Sequence, residues 1–374
     1  MLNEWSDSLE KKLSASAFSQ ARGKLRHTAF IELLEKCVVE VMYGTGDYKT
    51  FKGRRLLAVD GSTLRLPNTA ETRKHFGIIK YVNGKRTRAM NRVESKMTAL
   101  YDVLNRIPLS AKLHVCRTND LKACRQHLRD MKEGDVVLAD RAFGSYLFFA
   151  ELTAQNTDYI IRCKHRTFGK AHGLETSVDE FDRTVLLHAR ASISTDRVPA
   201  SLRVRFIKII LPNGELEILA TSLLDTEKFP TSDFKELYRL RWNIETYFQV
   251  LKSRLCLDNF TGKSVEAIFQ DFHSTIFLSG WETILTEDAN EELGLRETRN
   301  SLQVNRAQSF HVIKHKVIKL MEDPPPNFGE QLTALFVQNL TSVRPERVRA
   351  PRTPKDETTV KALNFQRYAR KHLF

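Results

Sequence analysis

Four residues at fixed spacing, Tyr238-x2-Arg241-x3-Glu245-x6-Lys252, stand within the run DFKELYRLRWNIETYFQVLKSRL. A carboxylate flanked by two cations suits a site that holds a metal ion and a phosphate group together. At about 100° per residue, Arg241, Glu245 and Lys252 fall near 300°, 340° and 320° from Tyr238. If the run is one helix, the four share a stripe. That stripe borders an apolar face made by Leu237, Leu240, Ile244, Phe248, Leu251 and Leu255. Arg241 and Glu245 are also four apart, the spacing of an ordinary intrahelical ion pair.

Two further acids end apolar runs. LLAV precedes Asp60 and VVLA precedes Asp140. A carboxylate at the end of a buried strand reaches the carboxyl edge of a sheet, where α/β folds place ligands. Strand-end aspartates are also common turn residues. Three carboxylates from two strands and a helix can hold two hard divalent cations, which would activate water and stabilise a leaving oxyanion in phosphodiester hydrolysis.

The elements that must carry these residues follow from periodicity. Residues 1–50 read as helices, either DNA-binding or a cap on the following domain. Segments RRLLAVDG, SKMTALYDVLN, AKLHVCR, GDVVLAD and TDYIIRCKH read as strands, with a helix over SYLFFAELTAQ. The expectation is a mixed five-stranded α/β sheet over 51–165. Residues 166–230 read as a β-rich insertion, and 231–290 as the rest of the core with the Glu245 helix. Residues 291–340 read as a helical region and 341–374 as a basic, mobile tail. Asn83-Gly84 and Asn213-Gly214 signal hairpin turns.

The chain of 374 residues carries 59 Lys and Arg against 45 Asp and Glu, a formal charge of +14. That excess favours a polyanionic partner, above all nucleic acid, although it also serves solubility. The charge is concentrated locally. From Arg73 to Lys96 there are eight Lys or Arg and one acid, Glu94. Lys85, Arg86 and Arg88 at its centre would meet DNA phosphates beside Asp60, or form a solvated hairpin. Five scattered cysteines without a CxxC pair point to a reducing compartment and away from a zinc module. With no apolar run near 18 residues and a polar N-terminus, the expected location is the cytoplasm, with no membrane association. No Walker A or GxGxxG pattern implies a nucleotide cofactor.

The spacing Y-x2-R-x3-E-x6-K resembles the hallmark of the DDE transposases of bacterial insertion sequences, in particular insertion-sequence family four. AVDGSTLRLP looks like that family's first-aspartate segment, and LADRAFGSYLFFAEL followed by YIIRC looks like its second. The similarity runs from about Leu13 to Trp281. It implies an RNase H-like core with Asp60, Asp140 and Glu245 as catalytic and metal-holding residues. It implies Mg2+, with Mn2+ as a substitute and two ions per site, and Tyr238, Arg241 and Lys252 as grips on transposon-end DNA. The expected reaction is cleavage at the terminal inverted repeats and transfer of the 3′-OH ends into target DNA. The enzyme would act as a homodimer on synapsed ends, at the bacterial nucleoid. Trp242 offers a face for a base or packs its own helix. The family's tryptophan in the β insertion has no counterpart among Trp5, Trp242 and Trp281. A plain nuclease on the same fold and a silent DNA-binding relative are the other readings.

Overall fold

A computed structural model describes residues 14–81, 90–164, 181–190, 198–210, 215–321 and 324–343. Lys85, Arg86, Arg88, the Asn83-Gly84 and Asn213-Gly214 turns and the tail from 344 lie outside the described residues.

The N-terminal helices are α1 (Ala15–Lys24), α2 (Thr28–Leu34) and α3 (Glu40–Gly44), the last two joined by a π-helical turn over Glu35–Val39. Strand β1 (Leu56–Arg65) follows, then α4 (Ala70–Phe76) and the short pair β2 (Ile79–Tyr81) and β3 (Met90–Arg92). Next come β4 (Glu94–Asp102), β5 (Ile107–Val115), α5 (Asp120–Cys124), β6 (Val136–Ala139), α6 (Tyr146–Ala154) and β7 (Asp158–Cys163). The insertion supplies β8 (Phe181–His188), β9 (Ser201–Ile210) and β10 (Leu216–Thr221). Helices α7 (Thr231–Arg239), α8 (Trp242–Ser253) and α9 (Val265–Leu285) complete the main body.

One eight-stranded sheet runs β5-β4-β1-β6-β7-β10-β9-β8. Its first five strands have the RNase H-like arrangement: β5, β4 and β1 pair antiparallel, and β6 and β7 continue parallel to β1. The expected five-stranded sheet is therefore present, but the insertion does not stand apart from it. Strand β10 pairs antiparallel with β7 and carries β9 and β8 outward, extending the same sheet to eight strands. Leu56–Val59 and Val136–Ala139 are wholly buried, as expected of strands covered on both faces.

The feet of β1 and β6 are tied by a buried bidentate pair. Arg55 Nε and Nη2 donate to the two Asp135 carboxylate oxygens at 2.7 and 2.6 Å. This clamp, with Val136 N–H donating to the Arg55 carbonyl, sets the parallel register Ala58↔Leu138.

Helix α9 is N-capped by Ser264, packs across β5, α2 and the π-helical turn, and approaches that turn and β5 closely at one point. A Cβ at Gly280 would stand 2.8 Å from Val38 and 3.2 Å from the Pro108 ring. Gly280→Ala should therefore destabilise the protein by about 1–3 kcal/mol through overpacking. A lower urea midpoint at unchanged m-value would show it; an unmoved midpoint would mean the contact relaxes freely.

Beyond α9 lie α10 (Glu287–Gly294), β11 (Leu302–Val304), α11 (Arg306–Met321), α12 (Phe328–Gln338) and β12 (Leu340–Ser342). They enclose a second small core around Leu293, Ile313, Leu332 and Phe336. The sequence suggested helix alone here; β11 and β12 pair as a two-stranded ladder. Among the described residues no helix is long and apolar enough to cross a membrane.

Candidate active site

Continuing the β1–β6 register by two residues from Ala58↔Leu138 sets Asp60 beside Asp140. Asp140 follows the last residue of β6, as the apolar run indicated. Asp60 does not end its strand: β1 continues to Arg65 because Asp60–Arg65 pair with Glu94–Ala99 of β4. The carboxyl edge is thus the point where the parallel pairing stops, not where β1 stops.

The third acid arrives on α8, and here the helix differs from the sequence expectation. The run from 233 to 255 is not one helix. Leu240 and Arg241 form a tight turn in which their N–H groups donate to the carbonyls of Leu237 and Tyr238, three residues back. Three-residue spacing is the 3₁₀ pattern, and it separates α7 from α8. Both turn residues keep right-handed helical dihedrals, so Arg241 still reaches Glu245 four residues on. Tyr238 and Arg241 are both 3% exposed and turned inward, while the Glu245 side chain is 42% exposed. Asn243 anchors the start of α8 by donating to the Val103 carbonyl at 3.2 Å.

The inward turn places the Arg241 guanidinium between two of the acids. Its Nη2 donates to Glu245 Oε1 at 2.8 Å, and its Nη1 stands 3.6 Å from Asp60 Oδ2. The i,i+4 pair is thus formed, but it is not merely a surface pair, because the arginine is buried and the same group faces Asp60. Gly61 N–H donates to Asp60 Oδ1 at 2.7 Å. Burial pushes the Asp60 carboxyl up to about 6, Gly61 and Arg241 work against that, and the nearby Glu245 and Asp140 add to it. The Asp140 carboxylate accepts no hydrogen bond among the described residues.

Lys252 is held within the protein. Its ammonium donates to Ser62 Oγ at 2.8 Å and to the Thr63 carbonyl at 2.7 Å. Burial lowers its pKa, with the Asp258 charge opposing. Lys252 therefore latches the last turn of α8 onto the extension of β1, joining the element of Glu245 to that of Asp60. Sequence reasoning had no means of finding Gly61, Ser62 and Thr63 as partners, because their roles depend on β1 running past Asp60. Trp242 is 52% exposed, and the Arg241 guanidinium lies over its ring at 4.4 Å.

Among the described residues no three acidic, imidazole or thiol side chains already converge on one metal position. The donor set nevertheless fits a hard divalent cation. It consists of carboxylates only, and Asp60, raised chiefly by burial and further by the Glu245 and Asp140 charges, is a buried acid whose ionised form a bound cation would favour.

The pattern of the transposase DDE domain family matches residues 51–279, well over half of the chain. The chain belongs to the transposase DDE domain family. The match takes in β1, β6, the insertion and α8, so all three acids lie inside it. The enzymes of this family generally work with divalent metal ions. No curated protein matches the sequence. Among solved structures, a cryo-EM synaptic complex of piggyBac transposase with hairpin DNA aligns at a TM-score of 0.45 and 9% identity. The alignment covers 83% of this chain and 61% of that one, so this DDE-domain chain spans less than two thirds of the relative's length.

Proposed function

We propose that the protein is a DNA transposase of the insertion-sequence family four type. It cuts at the ends of its element and joins the freed 3′-hydroxyls to target DNA, with Asp60, Asp140 and Glu245 as the essential acids. The observation that carries this reading is their approach from β1, the end of β6 and α8 to one edge of an RNase H-like sheet. Divalent ions, Mg2+ or Mn2+, when bound by these carboxylates would acidify the attacking water and stabilise the departing oxygen.

The chain's own residues divide the remaining work. Asp60, desolvated and set beside Asp140, supplies a carboxylate that a bound cation would keep ionised. Tyr238 and Arg241 offer donors to a backbone phosphate. Lys252 holds the distance between α8 and β1 and can add charge beside the strand path. Trp242 presents an exposed ring on which a base can stack at the cleavage point. Lys85, Arg86 and Arg88 would extend the phosphate contacts after β1. The DNA partners in this reading are the terminal inverted repeats and the target. The assembly is a homodimer with two synapsed ends, working in the bacterial cytoplasm at the nucleoid.

The test is Mg2+- or Mn2+-dependent cleavage of a plasmid carrying the DNA that flanks the gene, run beside Glu245→Gln. Cutting at the element ends by wild type alone is the expected outcome. Cutting without end preference, again lost in the variant, would leave a nuclease on the same acids. Cutting retained by Glu245→Gln would remove that residue from the reaction.

A further inference from the structure

Two buried donors of the motif are left without partners: the Tyr238 hydroxyl and the Arg241 Nε. Buried polar groups are nearly always paired, so two orphans on adjacent side chains mark a place where an acceptor is expected. They belong to one cluster. The Arg241 guanidinium carbon lies 5.9 Å from the Tyr238 ring centre and 4.4 Å from that of Trp242. The arginine itself is incompletely held: Nη2 bonds Glu245 at 2.8 Å, Nη1 is 3.6 Å from Asp60, beyond a good hydrogen bond, and Nε has nothing.

We infer that Arg241 is a resident counter-cation of the acid cluster, and that it exchanges its carboxylate partners for a DNA phosphate when DNA binds. The inference rests on the reading of Asp60, Asp140 and Glu245 as metal-holding acids. While the guanidinium lies between Asp60 and Glu245, it occupies a Glu245 lone pair that a divalent ion needs, and its charge beside both acids repels that ion. A phosphate presents oxygens that the guanidinium fork can take bidentately, including through the idle Nε, and it could also accept from Tyr238. Moving to the phosphate frees Glu245 and takes the positive charge away from Asp60. DNA binding and metal binding then reinforce each other, and linkage requires the factor to be the same in both directions. Arg241 acts here as a positioning residue, one that keeps the acids from loading metal tightly until DNA is in place.

The experiment is calorimetric titration of Mn2+ into the full chain, alone and with a duplex of the flanking DNA already cleaved at the 3′ end. Wild type, Arg241→Gln and Glu245→Gln are compared, each with its folding checked by thermal unfolding. Without DNA, Arg241→Gln is expected to bind Mn2+ about tenfold more tightly than wild type. The duplex should then tighten wild type by about tenfold or more and the variant by much less. Arg241→Gln binding Mn2+ no more tightly than wild type without DNA would overturn the counter-cation. Glu245→Gln separates the two levels: if it leaves Mn2+ binding unchanged in both backgrounds, the acid cluster itself is misread. Arg241→Met, uncharged and of similar volume, repeats the test should the glutamine variant not fold.

Discussion

Asp60→Asn is expected to lower metal-dependent cleavage by about 10³-fold or more and, at pH 7 without metal, to make the fold more stable than wild type. The loss follows from the proposed role of Asp60 as an anionic metal ligand, because metal-borne stabilisation of the reacting oxygens amounts to several kcal/mol. The gain follows from burial. The Asp60 carboxyl is raised from its ordinary value of 3.8 to about 6. A carboxyl raised in the folded state binds its proton more tightly folded than unfolded. Its contribution is fully present below about pH 3.8 and is lost as pH rises through about 6. At pH 7 the wild type carries the unfavourable buried charge and the asparagine variant does not, a difference of about 1–3 kcal/mol. Urea melts at pH 7 and pH 3.5 check this: the advantage of Asp60→Asn should vanish at the lower pH. An equal advantage at both pH values would mean that it comes from packing rather than from charge.

Arg205→Ala is expected to cost about 3–5 kcal/mol of stability and to reduce cleavage without touching the acids. Arg205 is fully buried on β9, the middle strand of the insertion. It donates through Nε and Nη2 to both oxygens of Asp182 on β8, through Nη1 to the Leu223 and Phe229 carbonyls at 3.1 and 2.7 Å, and through Nη2 to Thr231. Thr231 in turn donates to Asp182. Removing the arginine strips Asp182 of its charged partner, leaving it the Thr231 hydroxyl, and takes the donor from two carbonyls, which costs more than the net worth of the contacts. Thr231 opens α7, and α7 leads through the Leu240–Arg241 turn into α8. A loosened start to α7 therefore reaches Arg241 and Glu245. Arg205→Lys should recover little, since an ammonium cannot serve a carboxylate and two carbonyls in one plane. Chemical denaturation of the three proteins decides it. A loss near 1 kcal/mol for Arg205→Ala would mean that water replaces the side chain.

Much of the fold was legible because the chain repeats local physics without conflict. LLAV and VVLA are apolar runs of strand length, each followed by an acid, and both became buried neighbouring strands with those acids at their carboxyl edge. The Tyr, Arg, Glu and Lys spacing was legible as a pattern of types. The turn at 240 and 241 was not, because no Gly or Pro marks those positions. The turn there goes with a guanidinium drawn inward between Glu245 and Asp60, and Asp60 is remote in sequence.

The sequence by itself offered the three candidate acids, the motif cations and the strands that carry two of the acids, because residue type and short-range periodicity are local properties. Tertiary structure alone decided three further things. β10 paired with β7, so the insertion became part of the sheet. β1 ran on past Asp60 along β4, giving Lys252 its partners at Ser62 and Thr63. Arg241 was buried between acids rather than displayed to solvent. Each depends on backbone or charge partners brought together from far apart in the chain, and no local pattern encodes such partners.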